Sequence, residues 1–240
     1  MKCLIVIPAR MGATRFPGKP LHSIAGKAMV QWVHEAAVKS GAGERVVVAT
    51  PDEEIVSACR EFGAEAILTR HDHTTGTDRI AAVAERIPAD FYVNVQGDEP
   101  LIDPASIVAC AQPMLDPEVL MASVYDDCAE EEWENPNVVK VVTDLLGDAL
   151  YFSRHAIPFS RNPRTEPVKK HVGLYAYRGA VLREFSAWPQ SPNEIAESLE
   201  QLRMLHHGIK IRMAKGAATA LAVDTPDQAD EVERILLSRV

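Results

Sequence analysis

Three cationic side chains lie within ten residues near the start of the chain. Arg10, Arg15 and Lys19 belong to the segment IPARMGATRFPGKP, residues 7–20, which also contains two glycines. Arginine offers forked hydrogen bonds to phosphate oxygens, lysine offers a point charge, and glycine lets the backbone approach a ligand. The formal net charge of the chain is −9, so this positive cluster departs from its background. The segment predicts a triphosphate cradle; the alternative is a solvated basic loop.

Two aspartates predict a magnesium site. Asp98 follows a buried-strand pattern in VNVQGDEP (93–100), and Asp224 precedes the last predicted helix in AVDTPDQ (222–228). Magnesium usually binds through one or two carboxylates together with substrate phosphates, so the two aspartates could converge on one ion. Alternatively, Asp98 belongs to a simple turn and Asp224 only assists the N-terminus of the following helix.

The segment 151–175 concentrates basic side chains among few acids, which favours an anionic substrate. Strand alternation places His171 and Tyr175 on one face, where they could share a pocket wall; a structural histidine and a core tyrosine are the alternative. Glu200 and Arg203 could form only an i,i+3 surface pair. The basic residues singled out in this segment are Arg154, Arg161, Lys169, Lys170 and His171.

The chain alternates between strand-like and helix-like patterns through its first half. The apolar run at 3–7 predicts a strand buried on both faces, and Pro8 ends it because proline cannot donate to a sheet ladder. Such alternation predicts an α/β fold with a mainly parallel sheet covered by helices on both faces. The other predicted strands are 46–48, 66–68 and 91–95, and the predicted helices are 29–40, 51–63, which follows a capping box from Thr50 to Glu53, and 78–87.

Position along these elements indicates where a ligand would bind. In open α/β sheets, ligands lie beyond the carboxyl ends of the strands. The basic segment follows the first strand and Asp98 follows the strand at 91–95. We therefore expect the two to meet at one edge of the sheet. HTTGTDR, residues 73–79, offers small hydroxyls and Gly76 before a helix, where backbone groups could read a base edge.

Period-two patterns dominate after residue 120 and predict a mixed or antiparallel extension from about 120 to 187. The last part returns to helices and includes a capping box at Ser191 and a second at Thr225. The predicted elements are strands at 120–125, 138–143, 149–152, 172–177 and 209–214, a helix at 191–208, and a closing helix after Thr225.

Composition limits the classes of function. The chain has 240 residues, 47% hydrophobic and 25% charged, which is typical of a globular domain with a full core. Its acidic balance argues against a nucleic-acid surface, and its four cysteines lack the spacing of a zinc site or a disulfide framework. No segment approaches the ~18 apolar residues that cross a bilayer, and the N-terminus lacks a secretion signal. We expect a cytoplasmic protein without a membrane or nucleic-acid partner.

Together and in order, these motifs resemble the 3-deoxy-manno-octulosonate cytidylyltransferase family. The resemblance extends over nearly the whole chain, and LEQLR together with HVGLYAY is specific to this family among nucleotidyltransferases. The segments that carry it are IPARMGATRFPGKPL, TGTDR, VNVQGDEPLI, NPNVVKVV, ALYFSRHAIPF, KHVGLYAYR, SLEQLR and VDTP.

The resemblance implies an organisation and an activity. The fold would be a Rossmann-like nucleotidyltransferase α/β fold with a smaller mixed α/β dimerisation extension. Residues 1–119 and 188–240 would form the nucleotide-binding and catalytic domain, and residues 120–187 an inserted sugar-binding and homodimerisation region. The 2-hydroxyl of 3-deoxy-D-manno-octulosonate (Kdo) would attack the α-phosphate of CTP, giving CMP-Kdo and diphosphate for lipopolysaccharide synthesis, with Mg²⁺ required.

The resemblance also implies residue roles. Catalysis would rest on Arg10, Lys19, Asp98 and Asp224, of which Asp98 and Asp224 would hold the metal. CTP would be bound by Pro8, Ala9, Arg10, Arg15, Lys19, Thr69, Arg70, Gly76 and Asp98. The sugar would be bound by Gln96, Arg154, His171, Tyr175, Glu200 and Gln201.

Three residues depart from the family pattern. Ala13 stands where the family usually has serine, which removes one phosphate-directed hydroxyl, and Thr14 is expected to compensate. Ala28 replaces a usual proline and Asn193 a usual leucine, both away from the chemistry.

Two other functions are alternatives to this one. One is the same reaction on 8-amino-8-deoxy-Kdo, and the other, from a different class, is a non-catalytic nucleotide-sugar binding protein.

Overall fold

A computed structural model describes residues 1–12, 15–73, 75–217 and 221–238. Ala13 and Thr14, on which the expected compensation for the missing serine depends, lie outside the described residues. The strands are β1 Cys3–Pro8, β2 Ser23–Ile24, β3 Lys27–Ala28, β4 Arg45–Thr50, β5 Glu65–Leu68, β6 Phe91–Val95, β7 Met121–Asp127, β8 Lys140–Thr143, β9 Ala149–Ser153, β10 Lys169–Tyr177 and β11 Ile211–Lys215. The α-helices are α1 Met29–Ser40, α2 Glu53–Glu61, α3 Gly76–Arg86, α4 Pro104–Ala111, α5 Gly179–Ala187, α6 Pro192–Glu197, α7 Gln201–His206 and α8 Pro226–Leu237.

The described residues form one large central sheet with the strand order β11-β7-β10-β6-β1-β4-β5. Strand β10 runs antiparallel to both of its neighbours on this path, whereas the other neighbouring pairs are parallel. The hairpin of β8 and β9 extends from the first half of β10. The predicted mainly parallel sheet flanked by helices is confirmed.

The central strand β1 is buried on both faces, as its unbroken apolar sequence predicts. Leu4 and Val6 face a core with helices α3, α5 and α7, while Ile5 and Ile7 face a core with α1, α2 and α4. A third, smaller cluster packs α8 against the segment that follows β1 and includes Phe16. This last cluster brings the end of the chain to the basic segment near its start.

The segment 120–187 contributes directly to the central sheet. Strands β7 and β10 lie inside the sheet, and only β8 and β9 lie off its main path. A bulge interrupts the pairing of β10 with β7 between Val172 and Tyr175. The proposed division at residues 120 and 187 stays a prediction.

The predicted start of one helix and the predicted continuity of another were wrong. Strand β4 continues through Thr50, whose Oγ1 accepts a hydrogen bond from the Asp52 backbone N–H at 3.1 Å, so α2 begins at Glu53 rather than at Pro51. The predicted helix at 191–208 starts at its Ser191 capping box but is broken into α6 and α7, because Ser198 adopts a left-handed conformation with φ 52°. Helices α4 and α5 were not predicted, although Asp103 caps α4 and Pro104 follows at its first position, a recognisable start signal.

No helix among the described residues has both the length and the apolar composition that a bilayer crossing requires.

Candidate active site

A cavity of about 310 Å³ opens beyond the carboxyl ends of β1 and β6. Pro8 at the end of β1 and Gly97 just after β6 meet here; a Cβ on Gly97 would lie 2.8 Å from the Pro8 carbonyl oxygen. The close approach of the two strand ends therefore requires glycine. The predicted CTP, metal and sugar residues that line the cavity are Pro8, Ala9, Arg10, Arg15, Lys19, Gly76, Gln96, Asp98 and Asp224.

Lys19 is the ionic centre of this cavity. Its ammonium donates hydrogen bonds to Asp98 Oδ2 at 2.8 Å, to Asp224 Oδ1 at 3.3 Å and to the Val223 carbonyl at 2.8 Å. Arg15 donates to Asp224 Oδ2 at 3.0 Å. Gly18, in a left-handed conformation with φ 73°, turns the chain into the short helix that carries Lys19. The basic segment and the two strand-end aspartates therefore meet, as their positions along the chain predict.

The two aspartates form a donor set that suits a hard divalent cation. No group of three or more histidine, cysteine or acidic side chains is arranged as a metal site among the described residues, but magnesium needs only one or two carboxylates when substrate phosphates complete its shell. Glu99 does not add a third full charge at neutral pH, because burial and the adjacent Asp98 carboxylate raise the pKa of Glu99 to about 8. Asp98 and Asp224 are the residues that could hold Mg²⁺.

Arg79 is a fourth cation at the cavity that sequence reasoning missed. It lines the cavity and is 3% exposed. Burial, followed by the positive charge of Arg10, lowers the pKa of its guanidinium. Arg79 donates to Thr69 Oγ1 and to the Arg70 carbonyl at 3.2 Å. The TGTDR motif, which ends in Arg79, was the sequence signal that could have identified it.

Thr69 and Arg70 do not line the cavity among the described residues. Thr69 is buried behind Arg79, and the exposed guanidinium of Arg70 pairs with Asp72. Their predicted contact with cytidine stays a prediction. The structure shows that both residues hold Arg79 in place.

A second cavity, of about 230 Å³, adjoins the first. Gly76 and Gln96 line both cavities. Four of the six predicted sugar residues line the second cavity: Gln96, Tyr175, Glu200 and Gln201.

The polar groups of the second cavity are mainly hydroxyls and amides, together with the Glu200 carboxyl. Thr77 Oγ1 donates to Glu200 Oε2 at 2.9 Å, and Tyr175 Oη donates to Gln201 Oε1 at 3.4 Å. Burial raises the pKa values of Glu200 and Tyr175. Gln201 is 3% exposed, and its Nε2 has no hydrogen-bond partner among the described residues. The cavity thus offers hydroxyl and amide groups suited to a hydroxylated ligand.

His171 lies behind Tyr175, with the two ring centroids 5.3 Å apart, rather than in the lining of either cavity. Ser123 Oγ donates its only proton to the Leu174 carbonyl at 2.7 Å, so at its other contact, 2.9 Å, it accepts from His171 Nε2. Burial lowers the pKa of His171 to about 3. His171 is therefore a neutral ring protonated at Nε2. The sequence had not indicated Ser123, which occupies an ordinary strand position.

Arg154 also lies outside the lining of both cavities among the described residues. Its guanidinium donates to the backbone carbonyls of Glu197 at 2.7 Å, Pro136 at 3.0 Å and Ser198 at 3.3 Å. The bonds to Glu197 and Ser198 satisfy carbonyls at the break between α6 and α7, and the bond to Pro136 reaches the loop before β8. Glu200 accepts a hydrogen bond from Thr77, whereas Arg203 binds Glu194 in the interior; the structure therefore does not favour the alternative of an i,i+3 surface pair.

Fold and site together define a nucleotidyltransferase. The family model described as Cytidylyltransferase matches residues 4–211. The fold is shared with a solved nucleotidyl transferase from Methanothermobacter, with a TM-score of 0.65 at 12% identity, covering 100% of this chain and 99% of that one.

The chain belongs to the 3-deoxy-manno-octulosonate cytidylyltransferase family. It is 46% identical to the enzyme of that name from Escherichia coli, over 98% of this chain and 96% of the relative. It also matches a solved structure of CMP:2-keto-3-deoxy-manno-octonic acid synthetase complexed with CTP, with a TM-score of 0.97, 45% identity and full coverage of both chains. The family predicted from the motifs is confirmed.

Proposed function

We propose that the protein transfers CMP from CTP to the 2-hydroxyl of Kdo and releases diphosphate. The observation that carries this proposal is the pair of adjoining cavities that share Gln96 and Gly76, one rich in cations and carboxylates and the other in neutral polar groups. Family membership supports the choice of substrates, because a solved relative carries CTP and the relatives are named for the octulosonate.

The cations of the first cavity perform the electrostatic part of the reaction. The sugar oxygen forms a bond to the α-phosphorus while the bond to the β-phosphate oxygen breaks, so negative charge accumulates on the departing diphosphate. Arg10, Arg15, Lys19 and Arg79 line the cavity in which this charge develops. Preorganised cations in a partly closed site stabilise such charge far better than water does.

The carboxylates of the first cavity complete the site when a metal is present. Asp98 and Asp224 would hold Mg²⁺, which supplies charge neutralisation at the α-phosphate and acidification of the sugar hydroxyl. Both carboxylates also contact Lys19. The pair of aspartates is thus already held together by the same lysine that is proposed to bind phosphate.

The second cavity orients the sugar. Gln96, Gln201 and Tyr175 offer donors and acceptors for hydroxyl groups, and Glu200 lies beside them. Holding the two substrates in one reactive geometry itself lowers the reaction barrier substantially. Direct binding of the sugar by His171 and Arg154 is part of the proposal; in the structure both residues support the walls of this cavity from behind.

The cellular setting follows the same proposal. We place the reaction in the cytoplasm, in the supply of activated Kdo for lipopolysaccharide synthesis, and assign the segment 120–187 to homodimerisation. The two alternatives, the same reaction on 8-amino-8-deoxy-Kdo and non-catalytic nucleotide-sugar binding, have less support. The relatives cited are named for the octulosonate and not for its 8-amino form, and they are named as transferring or synthesising enzymes and not as binding proteins.

Diphosphate release from CTP tests the proposal. Purified protein is assayed with Kdo or 8-amino-8-deoxy-Kdo, with Mg²⁺ or EDTA. We expect release only with Kdo and Mg²⁺ together. Asp98→Asn should abolish release without loss of fold, whereas Asp230→Asn, the same charge change at an exposed position of α8, should not. Full activity in EDTA would exclude the metal assignment. A preference for 8-amino-8-deoxy-Kdo would show that this sugar, and not Kdo, is the substrate.

A further inference from the structure

Gln96 occupies the junction of the two cavities, and one neighbour orients its amide. Its Nε2 donates to Asn94 Oδ1 at 3.2 Å. This leaves Gln96 Oε1 as an acceptor, which lies 3.8 Å from where a Cβ on Gly76 would be. Because Gly76 also lines both cavities, the free carbonyl oxygen of Gln96 lies beside the point where nucleotide and sugar must meet.

Asn94 is an unusual residue for its position. It lies in the middle of β6, between β1 and β10, paired with Val6 on one side and Tyr175 on the other. It is 1% exposed in a strand that is otherwise entirely apolar or aromatic, FYVNV. Burying an amide is unfavourable unless its groups are hydrogen-bonded, yet Asn94 Nδ2 has no hydrogen-bond partner in the part of the chain that the structure describes. An apolar residue would suit the sheet better.

The contacts of Asn94 do not explain it as a structural residue. Gln96 Nε2 is the only side-chain hydrogen-bond partner that the described residues give its amide. Gln96 follows the end of the same strand, so this bond connects no second element of the fold. Its effect is confined to the position and orientation of the Gln96 side chain.

We propose that Asn94 is a positioning residue that fixes the Gln96 amide with Oε1 at the junction, where it accepts a hydrogen bond from the attacking hydroxyl of the sugar. An acceptor at this point aligns the hydroxyl oxygen toward the α-phosphorus. This inference rests on the proposed function and adds to it a residue that does not line either cavity.

A double-mutant cycle tests whether Asn94 acts through Gln96. The variants Asn94→Leu and Gln96→Ala and their combination are assayed with CTP and Kdo, and kcat and KM are measured separately for each substrate. Asn94→Leu is expected to lower kcat/KM for Kdo roughly tenfold, as for loss of one orienting hydrogen bond, with KM for CTP changed less than about twofold. In the Gln96→Ala background the same substitution should have no further effect.

A matched control separates positioning from stability. Val93→Ala alters a fully buried neighbour on the opposite face of β6 and should lower the melting temperature without changing KM for Kdo. Asn94→Ala repeats the test without added bulk if Asn94→Leu does not fold. Multiplicative effects of the Asn94 and Gln96 substitutions, or an unchanged kcat/KM for Kdo in both Asn94 variants, would overturn the inference. Absence of diphosphate release by the unmodified protein would instead contradict the proposed function.

Discussion

Lys19 is bound by the very groups that a metal ion would use. Its side chain is 12% exposed and its ammonium contacts Asp98, Asp224 and the Val223 carbonyl. Opposite charges in a partly buried cavity interact more strongly than on the surface. Lys19 therefore keeps two carboxylates close together that would otherwise repel each other.

Replacing this lysine should reduce activity and increase the response to metal. Lys19→Met is expected to lower kcat/KM for CTP by roughly a hundredfold or more, as for other losses of a charge-stabilising group. Because Asp98 and Asp224 then lack their shared cation, added Mg²⁺ should raise the melting temperature of the variant more than that of the parent. Lys27→Met, which removes a surface partner of Glu35, is the control. Equal metal responses in all three proteins would refute this account.

His171 provides a prediction for pH. Its pKa in the folded protein is lowered to about 3, whereas in the unfolded chain it is about 6.5. Between these values the unfolded chain binds a proton that the folded protein does not, so His171 makes the protein less stable as the pH falls below about 6.5 and has no effect above it. Urea unfolding at pH 8.0 and 5.5 should show a larger loss for the parent than for His171→Gln. Equal losses would mean that the ring is protonated in the fold.

Buried residues between helices determine the shape of the second cavity. Arg203 on α7 donates to Glu194 on α6 at 2.8 Å, and both are buried. Arg154 binds the carbonyls left free where Ser198 breaks the helix. These contacts fix the turn that presents Glu200 and Gln201.

Removing one partner of the buried pair should destabilise this turn. Arg203→Met leaves Glu194 buried without its cation, and such a loss typically costs about 3–5 kcal/mol. The free energy of unfolding should fall by about that amount, and KM for Kdo should rise because Gln201 is no longer held. Arg234→Met, at an exposed position of α8, should change stability by less than about 0.5 kcal/mol. A comparable small change for Arg203→Met would show that the pair is not stabilising.

The contact between the ends of β1 and β6 gives a further prediction. A Cβ on Gly97 would lie 2.8 Å from the Pro8 carbonyl oxygen, which is backbone and cannot rotate away. Gly97→Ala should therefore separate the two strand ends, lower stability by about 1–3 kcal/mol and weaken CTP binding. Calorimetry and CTP titration measure both effects. Gly12→Ala, at a position with open space around it, serves as the control for stability alone.

Local sequence predicted elements well where packing follows a simple period. Helix Met29–Ser40 and strand Phe91–Val95 were predicted at their observed bounds, because each has a regular apolar pattern and a clear end. The break at Ser198 could not be predicted in this way, since it depends on a distant arginine, Arg154, that binds the freed carbonyls. Tertiary contacts of this kind leave no periodic signal.

In the candidate site, too, some residues can be predicted from the sequence and others are recognisable only from their contacts. Residues that follow strands, such as Asp98 and Lys19, were predicted because strand ends converge at one edge of the sheet. Arg79, Ser123 and Asn94 were missed. Arg79 lies inside a helix rather than after a strand, and the contacts of Ser123 with His171 and of Asn94 with Gln96 are visible only in the structure. Sequence position therefore located the chemistry, and three-dimensional contacts supplied the residues that hold it.

At the scale of the whole molecule, the central sheet brings together residues from both halves of the chain. Asp98 follows β6, Lys19 follows β1, and Asp224 lies near the chain end, held by the packing of α8. Tyr175 comes from β10, the antiparallel strand that the segment 120–187 contributes to the sheet. The two cavities adjoin because β6, which is followed by Gln96, lies between β1 and β10. The sheet order thus determines where the substrates meet.

The segment 120–187, which we propose for homodimerisation from the family resemblance, also exposes large apolar side chains to solvent. Exposed apolar groups concentrated in one segment often mark an interaction surface. The hairpin of β8 and β9 and the loop after it carry four of them, with relative exposures of 61% to 105%: Leu145, Leu146, Leu150 and Phe159.

Charged substitutions in this segment should dissociate the dimer. We expect sedimentation equilibrium at micromolar concentration to give twice the mass of 26.3 kDa for the parent and a monomer for Leu150→Lys combined with Phe159→Lys, because buried unpaired lysines oppose association. Ile195→Lys combined with Leu237→Lys, which changes equally exposed residues outside the segment, should leave the dimer intact. A monomeric parent would contradict the assignment of a dimer, and dissociation by the control pair alone would move the interface to α6 and α8.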